Sequence, residues 1–245
     1  MRKVGAMSED AAERSGQDSR NERDGRSGQV GPELARYLPL SQRPRRDESA
    51  VTGDWSIATG TVAGRLADAI ADASAEALAE PSLRDGLSVL EVAALLAWRL
   101  STTRTERATE RVSRLLRAGR ADAAARTAQR EASAGRDAVE ARLRAAATAY
   151  AHRPLGDLSA AVLATLDTAD ALAVTPEFDA IAAGAVALAR SLSAPLPIRA
   201  VLADHTLVAT DGDWQVGTGP ATRSTTVPIL LFLFGRGGVP LALTG

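Results

Sequence analysis

The chain has no cysteine, two histidines, one lysine and few aromatics, and each shortage removes a class of function. Without cysteine there is no disulfide, no thiolate nucleophile and no thiolate metal site. Aromatic residues are 3% of the 245 while hydrophobic residues are 45%, so alanine, leucine and valine must supply most of the buried area. That balance favours closely packed helices over an aromatic-filled sandwich. The longest apolar run, Val227 to Phe234, is far shorter than the ~20 residues of a membrane-spanning helix. No apolar stretch follows Arg2 and Lys3, so the N-terminal end reads as neither a secretory signal nor an anchor, and a cytoplasmic protein is expected. Lys3 is the one lysine among 29 basic residues, an arginine and alanine bias that fits a GC-rich bacterial genome.

Residues 1–50 are rich in Arg, Ser, Gly, Asp and Glu without apolar periodicity, and they read as a disordered tail with one apolar patch at Pro32 to Leu40. Beyond the tail the period is helical. A first helix is expected over Trp55–Ala79, stopped by Pro81, and a second from Val89 towards Arg117, capped by Ser88. A third runs over Ala121–Ala151 with an interruption at Gly135. A fourth starts at Asp157 or Ser159 and reaches Val174; Thr175 and Pro176 then announce a fifth, to Leu192. After Pro195 and Pro197 the pattern alternates, predicting strands at Ile198–Ala203, Thr206–Thr210 and Trp214–Val216, with an Asp211, Gly212, Asp213 turn. Pro228–Phe234 reads as a short apolar helix ended by Gly235, and Val239–Leu243 as an edge strand. The expected fold is mainly α: a helical bundle over 51–194, then a small α+β domain over 195–245.

Charge is uneven along the bundle. Residues 51–98 carry two basic and seven acidic side chains, and residues 99–144 carry twelve basic and six acidic. Pairing between an acidic first helix and basic second and third helices accounts for this distribution. The competing reading is a nucleic-acid or protein surface built on Arg99, Arg104, Arg107, Arg111 and Arg114, but it lacks interleaved aromatics, and nucleic acid is not the expected partner. Ten basic residues against nine acidic ones also make the first fifty residues a poor nucleic-acid arm.

Three segments in order, GLSVLEVAALL from Gly86, LATLDTADAL from Leu163 and WQVGTG with LLFLFGRG near the C-terminus, resemble the mycothiol-dependent maleylpyruvate isomerase family over roughly residues 56–243. The resemblance implies a DinB-like helical bundle followed by a small sterol-carrier-like domain, and an actinobacterial source. In that family the second helix carries a metal-binding histidine, and its position falls here on Leu95. The family's glutamate and histidine of the fourth helix fall on Ala160 and Ala164. Leucine and alanine have no lone pairs to offer a divalent ion, so no metal is expected, and the space between the second and fourth helices should be dry and apolar. The Gly235, Arg236 pair matches the end of the family's last helix, where an arginine handles substrate carboxylates. Arg236 is therefore the one candidate catalytic or substrate-anchoring residue; its alternative is a solvated arginine bonding the last carbonyls of a helix.

The expected function is that of a member of this class without its metal site, a non-catalytic binding or regulatory protein for a small molecule or protein partner. No cofactor is expected, with mycothiol required only if the family's isomerase or thiol-transferase activity is retained. Other constellations carry less. His152 and Asp157 lack a glycine elbow to present a serine. The Gly217–Pro220 and Gly235–Gly238 turns lack the lysine and the strand–helix setting of a phosphate loop. Asp167 is expected to cap or pair, and Glu110 to pair with Arg114 on a surface. The run Ile229–Phe234 either packs the C-terminal part on the bundle or forms a ligand groove or homodimer contact.

Overall fold

A computed structural model describes residues 53–84, 86–102, 120–149 and 151–240. Among them are nine helices and one small three-stranded sheet near the C-terminal end, so the protein is mainly helical. Residues 1–50, the far part of the expected second helix with Arg104, Arg107, Glu110, Arg111 and Arg114, and residues 241–243 of the expected edge strand lie outside the described residues.

Helix α1 (Ser56–Asp72) starts where the Asp54 carboxylate accepts the Ser56 N–H at 3.0 Å, and it buries Val62, Leu66 and Ile70 at successive turns. The single helix expected to Ala79 is two. Ala73 is extended, and the Ser74 hydroxyl accepts the Ala77 N–H at 3.2 Å to cap a separate α2 (Ala75–Ala79). At α3 (Val89–Ser101) the Ser88 cap is a full capping box: Ser88 Oγ accepts the Glu91 N–H and Glu91 Oε2 accepts the Ser88 N–H. Gly135, at φ 88°, separates α4 (Arg120–Ala132) from α5 (Arg136–Thr148), the interruption the sequence suggests.

Helix α6 (Leu155–Thr168) begins directly after Pro154 and ends in turns, shorter at its far end than the expected reach to Val174. The next helix, α7 (Ala180–Ser193), does not start at Pro176. Asp179 accepts the N–H groups of both Ile181 and Ala182 at 3.0 Å, and an acidic cap with two bonds outweighs a favourable proline position. The strand expected at Ile198–Ala203 is a helix, α8 (Leu196–Asp204). Pro197 sits in its first turn, where it costs no hydrogen bond, and Ile198 with Leu202 are one helical turn apart on the buried side.

Strands β1 (Thr206–Ala209), β2 (Gln215–Gly217) and β3 (Ala221–Ser224) form a sheet ordered β2-β1-β3. β1 pairs antiparallel with β2, Leu207 opposite Val216, and parallel with β3, Leu207 opposite Thr222. β3 was not expected, because ATRS has no apolar run to announce it. Gly217 has φ 98°, and a Cβ there would overlap the His205 carbonyl oxygen, so the turn out of β2 requires glycine. Helix α9 (Thr226–Leu233) then enters the core, with Ile229, Leu230 and Leu233 fully buried. The apolar run is therefore interior packing and not an exposed dimer face.

In the bundle α1 packs on α5 and α6, and α3 packs on the same two helices, which closes a four-helix ring; α4 lies along α3. The ring is tight. A Cβ at Gly60 of α1 would lie 2.5 Å from the Ala147 carbonyl oxygen, so the backbones of α1 and of the end of α5 touch. Helix α7 joins this ring to the rest, contacting α6 on one side and α8, β2 and α9 on the other. One continuous core runs from Leu66, Val89 and Leu158 in the ring through to Leu207 and Leu230.

Candidate functional site, an arginine-rimmed cavity between α3 and α6

A cavity of about 510 Å³ opens between α3 and α6 and is closed at its far side by α7 and the chain after α9. Its size is within the range of small-molecule sites. Helix α3 supplies Val92, Leu95, Leu96 and Arg99, and α6 supplies Ala160, Leu163, Ala164 and Asp167. Both sets recur at three- and four-residue intervals, so each is one face of its helix. The three positions that the family resemblance assigns to metal ligands thus line one cavity, and so does Arg236.

Arg236 arrives by backbone geometry. Gly235 adopts φ 71°, its N–H donates to the Phe232 carbonyl, and the Arg236 N–H donates to the Leu231 carbonyl at 2.8 Å. This double closure of α9 needs a left-handed residue at Gly235. It sends the Arg236 side chain back onto α6. There Nε donates to Asp167 Oδ1 at 2.7 Å and Nη2 reaches Oδ2 at 3.4 Å, a fork on a carboxylate that is 1% exposed. Arg236 is accordingly neither solvated nor a cap on the last carbonyls through its side chain. Asp167 pairs, as its helix position suggested.

Three further guanidiniums meet the cavity. The Asp167 backbone carbonyl accepts the Leu83 N–H at 2.9 Å, which holds the loop after α2 against the end of α6 and places Arg84 beside Asp167 and Arg236. Burial holds the Arg84 guanidinium below the usual arginine range; Asp167 offsets this and the neighbouring Arg236 adds to it. Among the described residues the Arg84 guanidinium has no hydrogen bond or ion pair. Arg99 donates Nε to Asp157 Oδ1 at 3.1 Å and Nη2 to the Gly156 carbonyl at 2.8 Å, at the start of α6.

Arg190 is the one charged residue of α7. Its guanidinium lies over the Phe234 ring, 4.8 Å from the centroid, and Nη2 donates to the Leu233 carbonyl at 3.3 Å. Its Nε is buried and has no hydrogen-bond partner among the described residues, and burial lowers the affinity of the group for its proton. Such an orphan donor costs ~1–3 kcal/mol unless something outside the chain accepts from it.

Counted together, four guanidiniums face two buried carboxylates, Asp157 and Asp167, among the described residues. The cavity is not the wholly apolar space expected from Leu95, Ala160 and Ala164. It has apolar walls and a cationic rim. The sequence reading missed Arg84 and Arg190; the available signal was a single arginine on the buried side of an otherwise uncharged helix. Arg99 enters as a cavity residue paired with α6; the other four arginines of the basic stripe lie outside the described residues.

A divalent metal does not fit this wall. Leu95, Ala160 and Ala164 carry no donor atoms, both Asp157 and Asp167 are engaged by arginine, and no group of three His, Asp or Glu side chains occurs among the described residues. His152 and His205 are both exposed and neither lines the cavity. The Ser159 hydroxyl donates to the Leu155 carbonyl at 2.9 Å, a bond within α6 and not with a general base. The arrangement suits binding of an anion with an apolar body: walls for the body, unsatisfied guanidinium donors for the charge. Compared with protein families, curated proteins and solved structures, the chain matches none.

Proposed function

We propose that this protein is a metal-free binding protein of the maleylpyruvate isomerase-like, DinB-like type, which holds a small anionic molecule with an apolar body between α3 and α6. One observation carries the reading: the three positions that the resemblance reserves for metal ligands line the same cavity as four arginines, two of them with donors left over. Arg84 and Arg190 hold the anionic group. Leu95, Ala160 and Ala164 make room for apolar atoms where the metal would stand. A regulatory role follows if occupancy of the cavity is read out by a partner.

The test is a thermal-shift and calorimetric comparison of small aromatic and branched carboxylates with their neutral amides. Carboxylates are expected to bind and amides not, and the Arg84→Ala, Arg190→Ala double variant is expected to lose binding. Equal binding by that variant, or by the amides, overturns the reading. Stoichiometric zinc or nickel in the purified protein overturns its metal-free part.

The second reading, an isomerase or thiol transferase using mycothiol, is favoured by the presence of Arg236 in the cavity. Turnover of maleylpyruvate that depends on mycothiol and falls in Arg236→Ala would select it over the binding protein.

A further inference from the structure

Helix α7 is apolar on two opposite sides. Ala182, Ala183, Val186 and Ala187 are buried, and Arg190 turns the same way, into the cavity. At 100° per residue the opposite side carries Ile181, Ala185, Leu188 and Leu192, spaced i, i+4, i+7 and i+11. Ile181 is 74% exposed, Leu188 57% and Leu192 75%. Leu196, at the start of α8 immediately beyond, is 70% exposed. The flanks of the stripe include Ala189 and Ser191, small residues that let another backbone approach.

We infer that this outer face of α7 is a homodimer interface, with a second copy of the chain as its occupant. Charge selects the occupant first. A two-fold interface sets a patch against itself, so a patch of one net sign repels its copy. Between Ala180 and Ser193 the one charge is Arg190, and it points inward, so the stripe along α7 carries no charge of its own. A membrane surface would instead want basic residues flanking the stripe, and α7 supplies none.

Area agrees. A leucine or isoleucine side chain offers about 100 Å², of which on average about 0.7 is exposed here, so the four give roughly 550 Å² of apolar area between two copies. Specific interfaces begin near ~1,200 Å² in total, with somewhat over half of it apolar. The stripe therefore provides most of the apolar centre that a small stable dimer needs. Its length, Ile181 to Leu192, is about 16 Å of helix. The inner side is already committed: a Cβ at Gly184 would stand 3.1 Å from Trp214, and α9 packs on α7. A partner has the outer side alone to use.

Sedimentation of the full chain tests this. A dimer is expected at ~10 µM, and Leu188→Glu is expected to weaken association by about 100-fold or more while leaving the thermal midpoint of the protomer unchanged. The absence of cysteine gives a second arm. Ala185→Cys should form an intermolecular disulfide on mild oxidation, because it lies near the middle of the stripe, where the two-fold axis passes, whereas Thr61→Cys, exposed on α1, should not. A wild-type chain that is monomeric at about 100 µM overturns the inference. So does a Leu188→Glu chain that dimerises as tightly as wild type, or a monomer that co-floats with anionic phosphatidylglycerol vesicles and loses this with Leu188→Glu.

Discussion

Arg153 and Arg190 are both arginines drawn away from water, one at the junction of three helix ends and the other at the cavity. Arg153 is 5% exposed, and its guanidinium donates to the Leu100 carbonyl at the end of α3 and to the Ala146 carbonyl near the end of α5. Its backbone is used as fully: the N–H donates to Asp54 and the carbonyl accepts from Trp55, both at the start of α1. One residue thus joins the ends of three helices. Arg190 meets one carbonyl and a ring face, and its Nε meets nothing among the described residues. Burial does not separate a structural arginine from a ligand-binding one. What separates them is where the guanidinium is aimed: that of Arg153 at the end carbonyls of two helices, that of Arg190 at the cavity.

The comparison breaks most visibly at Arg153. Arg153→Ala removes donors from two buried helix-end carbonyls and leaves a void, and a loss of about 3–4 kcal/mol is expected in urea unfolding, with ligand affinity measured at saturating folded protein unchanged. A small loss would mean that water satisfies those carbonyls as well, and that Arg153 is not the clamp described. Next in size is Arg236→Ala. It takes the forked partner from the Asp167 carboxylate, 1% exposed, and a loss of about 2–4 kcal/mol is expected, smaller in the double variant Asp167→Asn, Arg236→Ala. If the double variant is no better than the single one, Arg236 acts through packing and not through the pair.

Asp211→Ala should cost about 1–2 kcal/mol, because its carboxylate accepts the Thr226 N–H at 2.8 Å and the Thr226 hydroxyl at 2.7 Å and so starts α9. From the sequence Asp211 looks like a turn residue between two strands. That difference shows where sequence reading stops. The Ser88 capping box lies within four residues and is legible, as are the apolar faces of α1 and α3. Asp211 and Thr226 are fifteen residues apart, and only the fold puts them together.

The C-terminal part was harder to read for the same reason. Ile198–Ala203 contains β-branched and apolar residues that fit either period, and the helix is decided by Leu202 packing inward against the sheet side. At the cavity, the family resemblance carried by an ordered set of local segments points to Leu95, Ala160, Ala164 and Arg236, all of which line it. Arg84 and Arg190 come from a loop and a helix outside those segments, so their convergence was invisible before the backbone was known.

Arg190→Met sharpens the comparison from the other side. Methionine keeps the contact with Phe234 and removes an orphaned donor, so stability should change by less than about 1 kcal/mol, and it has room to rise. Binding of small carboxylates should fall by at least ~10-fold, the reverse of the Arg153 pattern. A variant that loses stability and keeps affinity would place Arg190 with Arg153 as a structural residue.

The smallest effect concerns pH at the Arg153 end. The Arg153 N–H, then the Ser56 N–H, hold the Asp54 carboxyl below the usual carboxylate range. A group with a depressed value in the folded state binds its proton more readily when unfolded. Its contribution is therefore complete above the ordinary value of about 4 and is lost as pH falls through the folded value. Wild type should exceed Asp54→Asn in stability at neutral pH, and the gap should close below about pH 4. The Arg190→Met curve should run parallel to wild type over that interval, because no carboxylate among the described residues bonds to Arg190. A gap between wild type and Asp54→Asn that persists at acid pH would show that the α1 cap works as well protonated, which would leave the clamp to the Arg153 side chain alone.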